Sequence, residues 1–226
     1  MPRYEGVLLD VDGTLVDSND AHAEAWIRAL RGQGIEVSYE EVRSRIGKGG
    51  DKMFREVAGI DDDADPRAKA VDQDRARLFL EEFVPGLKGI EGARGLVERM
   101  KADGLKVVAA SSAKRDELEK LLKIAGVEGM IEEATSSDDA EESKPDPHIV
   151  TAALEKAGLA PDRAVMIGDT PYDVEAAGRA GVAVIAVRSG GWDDEGLKGA
   201  IAVYDDVADL LANYDESPLG RRAYEG

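Results

Sequence analysis

The stretch Asp10-Val11-Asp12-Gly13-Thr14-Leu15-Val16-Asp17 decides how this chain is read. It follows Val7-Leu8-Leu9, a short unbroken apolar run. A strand so continuously apolar is one buried on both faces, as in parallel sheets. Two carboxylates two residues apart at the end of such a strand are costly unless a cation or a shared proton offsets them. Gly13 lets the chain turn sharply away from the strand end.

The same pattern recurs downstream. Val107–Ala110, Ala164–Ile167, Ala183–Val187 and Ile201–Val203 are further strand candidates. Helical stripes lie between them: Leu118, Leu121, Leu122 and Ala125, closed by Gly126, then Ile149, Val150, Ala153, Leu154 and Ala157, closed by Gly158 and Pro161. This alternation predicts an α/β fold, a doubly wound parallel sheet with a Rossmann-like core. Residues 17–84 break it, holding no convincing strand. Ala23, Trp26, Ile27 and Leu30 form a helical stripe, in which Trp26 is expected to serve as core. Ser38 and Glu41 have capping-box spacing, and Asp65-Pro66 opens a helix running towards Phe83. The expectation is an inserted all-helical domain over 17–84, with 1–16 and 85–226 forming the Rossmann-like core. Asp61-Asp62-Asp63 reads as a solvated loop, and the polar tail from Asp215 as packed on the surface or frayed.

Composition narrows the function. Among 226 residues, 29 Lys and Arg face 47 Asp and Glu, a formal net charge of −18. Such a chain repels phosphate backbones and lacks a polybasic membrane anchor, so neither nucleic acid nor membrane is an expected partner. There is no cysteine, which excludes disulfides, thiolate nucleophiles and cysteine metal sites. No apolar run approaches the roughly 18 residues of a membrane span, and Met1–Asp10 does not read as a signal peptide. A cytoplasmic protein is expected, a monomer or weak homodimer.

Ligands of doubly wound sheets bind beyond the carboxyl ends of the strands. After the second strand candidate comes Ser111-Ser112-Ala113-Lys114, where hydroxyls and free N–H groups at a helix start favour an anion such as phosphate. Before the third lies Ser143-Lys144-Pro145-Asp146-Pro147, and after it Gly168-Asp169-Thr170-Pro171-Tyr172-Asp173. The strand ends thus gather up to four carboxylates, two hydroxyls and one lysine. Carboxylates suit a hard cation such as Mg²⁺; hydroxyls, amides and a lysine suit phosphate. Together they point to metal-assisted phosphoryl transfer on a small phosphorylated metabolite. Two other readings fail. A calcium loop starting at Asp10 needs a Glu where Ala21 stands, and Gly47-Lys48-Gly49-Gly50 has neither the preceding strand nor the third glycine of a dinucleotide fingerprint.

The four segments, in this order, resemble the four motifs of the haloacid dehalogenase superfamily: Asp-x-Asp-Gly-Thr, a Ser or Thr, a Lys before Pro, and Gly-Asp-x-x-x-Asp. The resemblance implies that Asp10 is a nucleophile forming an aspartyl-phosphate, and that Asp12 is the general acid and then the general base. It implies Mg²⁺ held by the carboxylates of Asp10 and Asp169 and the backbone carbonyl of Asp12, with Asp173 supporting the metal. Ser111 and the Ser112 amide would bind the phosphoryl group, and Lys144 would offset charge where Asp10 meets it. Asp12 separates the chain from true dehalogenases and phosphonatases, which resemble the pattern but lack that residue.

Within the superfamily, Arg45-Ile46-Gly47-Lys48-Gly49-Gly50-Asp51 resembles the specificity loop of phosphoglycolate-phosphatase-like members. The segment 17–84 resembles the superfamily's inserted helical cap, and within it His22, Lys48 and Gly49 are candidate substrate contacts, the loop having also the plainer reading of a helix-to-helix turn. His22, in the run from Asp17, is placed either beside Asp12 or facing solvent; His148 is read as structural and Trp192 as a loop anchor near the site. β-Phosphoglucomutases resemble the core too, but carry an arginine where Gly50 aligns and commonly Glu-Asp-Ser in place of Gly168-Asp169-Thr170. A phosphatase is therefore the first expectation, a sugar-phosphate mutase the rival on the same fold, and a non-catalytic regulatory protein the rival from another class.

Overall fold

The computed structural model describes residues 4–59, 65–140 and 142–220. Six strands form one parallel sheet in the order β3-β2-β1-β4-β5-β6: β1 (Gly6–Leu9), β2 (Lys106–Ala110), β3 (Glu133–Thr135), β4 (Ala164–Gly168), β5 (Ala183–Val187) and β6 (Ala202–Tyr204). β1 lies at the centre, with Leu9 level with Ala109 on one side and Ile167 on the other. The carboxyl ends of β1, β2 and β4 therefore open at one edge.

The apolar runs are continuous because helices cover both faces. Alternate strand residues go to opposite sides. Val7, Leu9, Val107, Val165 and Ile185 share one core with Leu96, Val97 and Met100 of α5 (Ala93–Ala102), Leu118 and Leu121 of α6 (Arg115–Ile124), and Leu210 of α9 (Val207–Ala212). Leu8, Val108, Met166 and Val184 share the other with Ile149, Val150 and Ala153 of α7 (His148–Ala157) and Ala176 and Ala177 of α8 (Pro171–Arg179). Gly158 ends α7 in the left-handed conformation that a Cβ disfavours.

The five expected strands form, the last one residue later than expected. β3 was not expected: Glu-Ala-Thr has no apolar run, and as an edge strand it pairs only with β2. The polar tail packs as far as Gly220, with Ser217 and Leu219 buried.

Between β1 and α5 the described chain is helical: α1 (Asn19–Gly32), α2 (Tyr39–Arg43), α3 (Gly50–Met53) and α4 (Pro66–Leu78). π-helical turns extend α3 over Phe54–Ala58 and α4 over Phe79–Phe83. Ser38 and Glu41 form the expected capping box, and Asp65 caps α4 ahead of Pro66. The α1 stripe is buried, Trp26 meeting Phe54 edge-to-face. The Asp61–Asp63 run lies outside the described residues. The insertion leaves and rejoins the sheet side by side, Asp17 N–H donating to Lys88 O and Ile90 N–H to Leu15 O. Among the described residues no helix is long and apolar enough to cross a membrane.

Candidate active site

Asp10, Ser111 and Asp169 each stand one residue beyond the end of a strand, β1, β2 and β4 respectively. The strand register brings them to one edge although they come from distant parts of the chain. The loop before α7 brings Lys144, which is 1% exposed. Its Nζ lies 2.5 Å from Asp10 Oδ1 and 2.7 Å from Asp173 Oδ1. Burial works against the Lys144 charge; these two carboxylates outweigh it and hold the ammonium form.

The carboxylates are crowded. Asp10, Asp169 and Asp173 are all buried, and each offers an oxygen within 4.8 Å of the others. Burial pushes Asp10 up to about 7, against the pull of Lys144 and with the repulsion of Asp173 and Asp12. Burial, with Asp10 and Asp173 nearby, also raises Asp169 well above the usual carboxylate range. An all-oxygen set of this kind, with more negative charge than one lysine balances, fits a hard divalent cation.

Asp169 is held by groups that sequence reading did not single out. Asn19 Nδ2 donates to its Oδ2 at 2.8 Å, and Thr14 Oγ1 to its Oδ1 at 3.2 Å. A Cβ built on Gly13 or Gly190 would overlap the same carboxylate. Gly13 also has φ +74°, so both its backbone and its lack of a side chain are used. Asp173 closes the capping box of α8: its Oδ2 accepts from Thr170 N–H at 3.0 Å and Thr170 Oγ1 at 2.6 Å. That leaves Oδ1 for Lys144.

Asp12 faces the helical insertion. Ser18 Oγ donates to its Oδ1 at 2.5 Å, and His22 Nε2 lies 2.8 Å from the same atom. Burial works against the Asp12 carboxylate, but the charge and hydrogen bond of His22, with Ser18, outweigh it and hold the carboxyl below its ordinary value. Ser18 precedes α1 yet makes no capping bond to that helix. A cap is typically worth about 1 kcal/mol, so α1 gives up local stability to serve Asp12. Of the two placements expected for His22, the one beside Asp12 is found, with its ring stacked on Phe79 at 3.8 Å.

At the end of β2, Ser111 Oγ accepts from Ala113 N–H at 3.0 Å, which leaves its proton to donate elsewhere. Ser112 Oγ is buried with no hydrogen-bond partner among the described residues, and Ser112 lines a cavity shared with Asp10 and Asp12.

Lys48 and Gly49 also line this cavity, but their polar groups are committed. Lys48 Nζ binds both oxygens of Glu56, at 2.7 and 2.6 Å, above the Tyr172 ring. Gly49 N–H donates to Ser143 Oγ at 2.9 Å, and a Cβ there would collide with Ser143. Gly49 thus serves close approach between insertion and core. Arg75, from α4, lines the cavity unforeseen, paired with Glu117 of α6. Neither was singled out from the sequence, where a charge on a helix face gives no local sign of a buried partner. Trp192 packs edge-to-face on Tyr172, as a loop anchor should, and His148 starts α7 on the exposed side.

A haloacid dehalogenase-like hydrolase family model matches residues 7–187, a span that runs from β1 to the end of β5. The chain belongs to the haloacid dehalogenase-like hydrolases. This hydrolase is 32% identical over 222 residues to a phosphoglycolate phosphatase from Rhodospirillum rubrum, covering 93% of this chain and 90% of that one. It is 29% identical over 182 residues to a phosphorylated carbohydrates phosphatase from Thermotoga maritima, covering 79% and 82%. The crystal structure of a hydrolase from Pseudomonas syringae matches with a TM-score of 0.87 at 30% identity, covering 93% of this chain and 98% of that chain. The helical insertion after β1 is consistent with the cap of this family.

Proposed function

We propose that this hydrolase is a Mg²⁺-dependent phosphatase of the phosphoglycolate-phosphatase-like branch, releasing phosphate from a small phosphomonoester through an aspartyl-phosphate on Asp10. The observation that carries the reading is the juxtaposition of two buried-site carboxylates in different company: Asp10 against Lys144, and Asp12 against His22. Phosphatase relatives along nearly the whole chain support it.

The carboxylates of Asp10 and Asp169, the backbone carbonyl of Asp12 and, in support, Asp173 would hold the ion. When bound, Mg²⁺ supplies positive charge that favours ionised Asp10 and offsets the charge of the phosphoryl oxygens. Asp10 attacks phosphorus, forming a carboxylate-to-phosphorus bond as the ester P–O bond breaks. Asp12 gives the departing alkoxide its proton. Water then attacks phosphorus, Asp12 takes the water's proton, and the Asp10 carboxylate is the leaving group. Asp12 rests as a carboxylate, so it must take up a proton before the first step, and His22 Nε2 is the neighbour on hand to share one. Lys144 holds Asp10 in place and balances part of the transferring group's charge. Ser111 Oγ and the Ser112 backbone N–H donate to the phosphoryl oxygens.

A mutase must hold a second phosphate. Lys48 and Arg45 both lie against Glu56, so the insertion loop offers that phosphate little. The test is phosphate release from a panel of phosphomonoesters, with and without Mg²⁺, using Asp10→Asn as control. Metal-dependent release absent from the variant is expected. Release by Asp10→Asn at the wild-type rate would remove the nucleophile assignment, and interconversion of β-glucose 1-phosphate only when a bisphosphate is added would establish the mutase.

A further inference from the structure

We propose that the buried Arg75–Glu117 pair selects an uncharged, hydroxyl-bearing leaving group and turns away one with an anion of its own. The inference rests on the phosphatase reading and names the substrate class of that same site.

Arg75 and Glu117 are 6% and 1% exposed, and both line the cavity that holds Asp10 and Asp12. Arg75 Nη1 reaches both Glu117 oxygens at 2.8 Å, joining α4 of the insertion to α6 of the core. The guanidinium also lies over the Trp26 ring, 5.4 Å from its centroid. Lys48, the second cation at the cavity wall, is matched by Glu56. The nearby ammonium of Lys144 is matched by Asp10 and Asp173. Among the described residues, every cation at the cavity therefore already touches a carboxylate.

A carboxylate or second phosphate on the substrate would enter with no cation left to meet. It would face Glu117 and Asp12 at close quarters, or displace Glu117 from Arg75 and leave that carboxylate buried without compensation. A hydroxyl meets neither penalty. Two carboxylate oxygens have about four lone-pair sites, and Arg75 uses two of them. Arg75 Nε and Ser112 Oγ are both buried with no hydrogen-bond partner among the described residues. The wall thus keeps hydrogen-bonding capacity in hand, while the guanidinium charge is already met by Glu117 and Asp72.

Two esters of equal length isolate the charge: 2-hydroxyethyl phosphate ends in an alcohol and phosphoglycolate in a carboxylate. With p-nitrophenyl phosphate as the reference for the chemical step, wild-type kcat/KM should favour the alcohol by about tenfold or more, a discrimination of the size that pocket polar groups deliver. Glu117→Gln removes the carboxylate that meets Arg75 Nη1, leaving Asp72 at 3.7 Å from Nη2 as its remaining anionic neighbour, and should move the ratio about tenfold towards phosphoglycolate, chiefly through KM. A wild-type preference for phosphoglycolate would overturn the inference, as would a ratio unmoved by Glu117→Gln. The wild-type ranking decides alone if the variant does not fold. Failure to hydrolyse any ester, p-nitrophenyl phosphate included, would remove the phosphatase reading and this inference with it; hydrolysis without the charge preference would remove this inference only.

Discussion

Lys144 Nζ sits 2.5 Å from Asp10 Oδ1, a contact between residues 134 positions apart in the chain. The ammonium is the only buried cation touching the carboxylate cluster among the described residues. It keeps Asp10 and Asp173 from facing each other uncompensated.

Removing that cation should cost both activity and stability. Lys144→Ala is expected to lower kcat/KM by about 10²–10³, the range for losing one preorganised electrostatic partner. It should also destabilise the fold by about 3–5 kcal/mol, as when one member of a buried pair is deleted. Steady-state kinetics and urea unfolding without metal check the two effects separately; a stability within about 0.5 kcal/mol of wild type, the range of an ordinary surface change, would contradict the structural half.

Gly190 approaches Asp169 so closely that a Cβ overlaps the carboxylate. Gly190→Ala should displace that side chain and raise the Mg²⁺ concentration for half-maximal activity by about 10–100-fold, as outer-shell changes at metal sites do. The gain in Tm on adding Mg²⁺ should shrink in parallel. An unchanged metal titration would mean that Asp169 tolerates the intrusion.

On the proposed mechanism His22 acts through Asp12, so its loss should depend on the leaving group. His22→Phe keeps an aromatic ring against Phe79 and removes the nitrogen 2.8 Å from Asp12. Alkyl phosphates, whose alkoxides need a proton, should lose about 10²-fold in kcat. p-Nitrophenyl phosphate, whose phenolate leaves without one, should lose far less. Equal losses on both would assign His22 a purely structural part.

Asp65 provides a pH test away from the site. The side chain and backbone N–H of Arg67 hold its carboxyl down at about 2. A folded value depressed below the unfolded one gives stability that is fully present above about pH 4 and fades as pH falls towards 2. Asp65→Ala should therefore melt below wild type at pH 7, with the gap closing between pH 4 and 2. Thermal melts across that range check this, and a gap that persists at pH 2 would refute it.

What could be read in advance followed from whether the signal was local. Val7–Leu9 and Ala164–Ile167 announce buried parallel strands because both faces need apolar side chains. Ser38–Glu41 and Asp65–Pro66 announce helix starts because capping is settled within four residues. Asp10, Asp12, Lys144, Asp169 and Asp173 were legible as a motif set, and the structure gathers them. Glu133–Thr135 was not, because an edge strand three residues long carries no pattern of its own. Asn19 meets Asp169 across 150 positions and Gly190 approaches it from the loop after β5, and nothing near them in sequence marks that encounter; Thr14 stands in the first motif, which does not say that its hydroxyl reaches Asp169. Arg75 and Glu117 were invisible for a related reason: a charged residue on a helix reads as solvated until its partner, 42 positions away, covers it.

The central place of β1, between β2 and β4, has a consequence for how the molecule can be assayed. Its chemistry is divided among loops that begin at residue 10 and end beyond residue 169, and only the completed sheet brings them to one edge. No contiguous fragment holds a working subset. Parallel pairings of such long sequence separation form late and slowly. Recovered turnover after dilution from denaturant is thus a clock for the β1–β4 pairing: with Trp192 replaced by Phe, fluorescence from Trp26 reports that the insertion has collapsed, whereas released phosphate reports that the last strand needed has arrived.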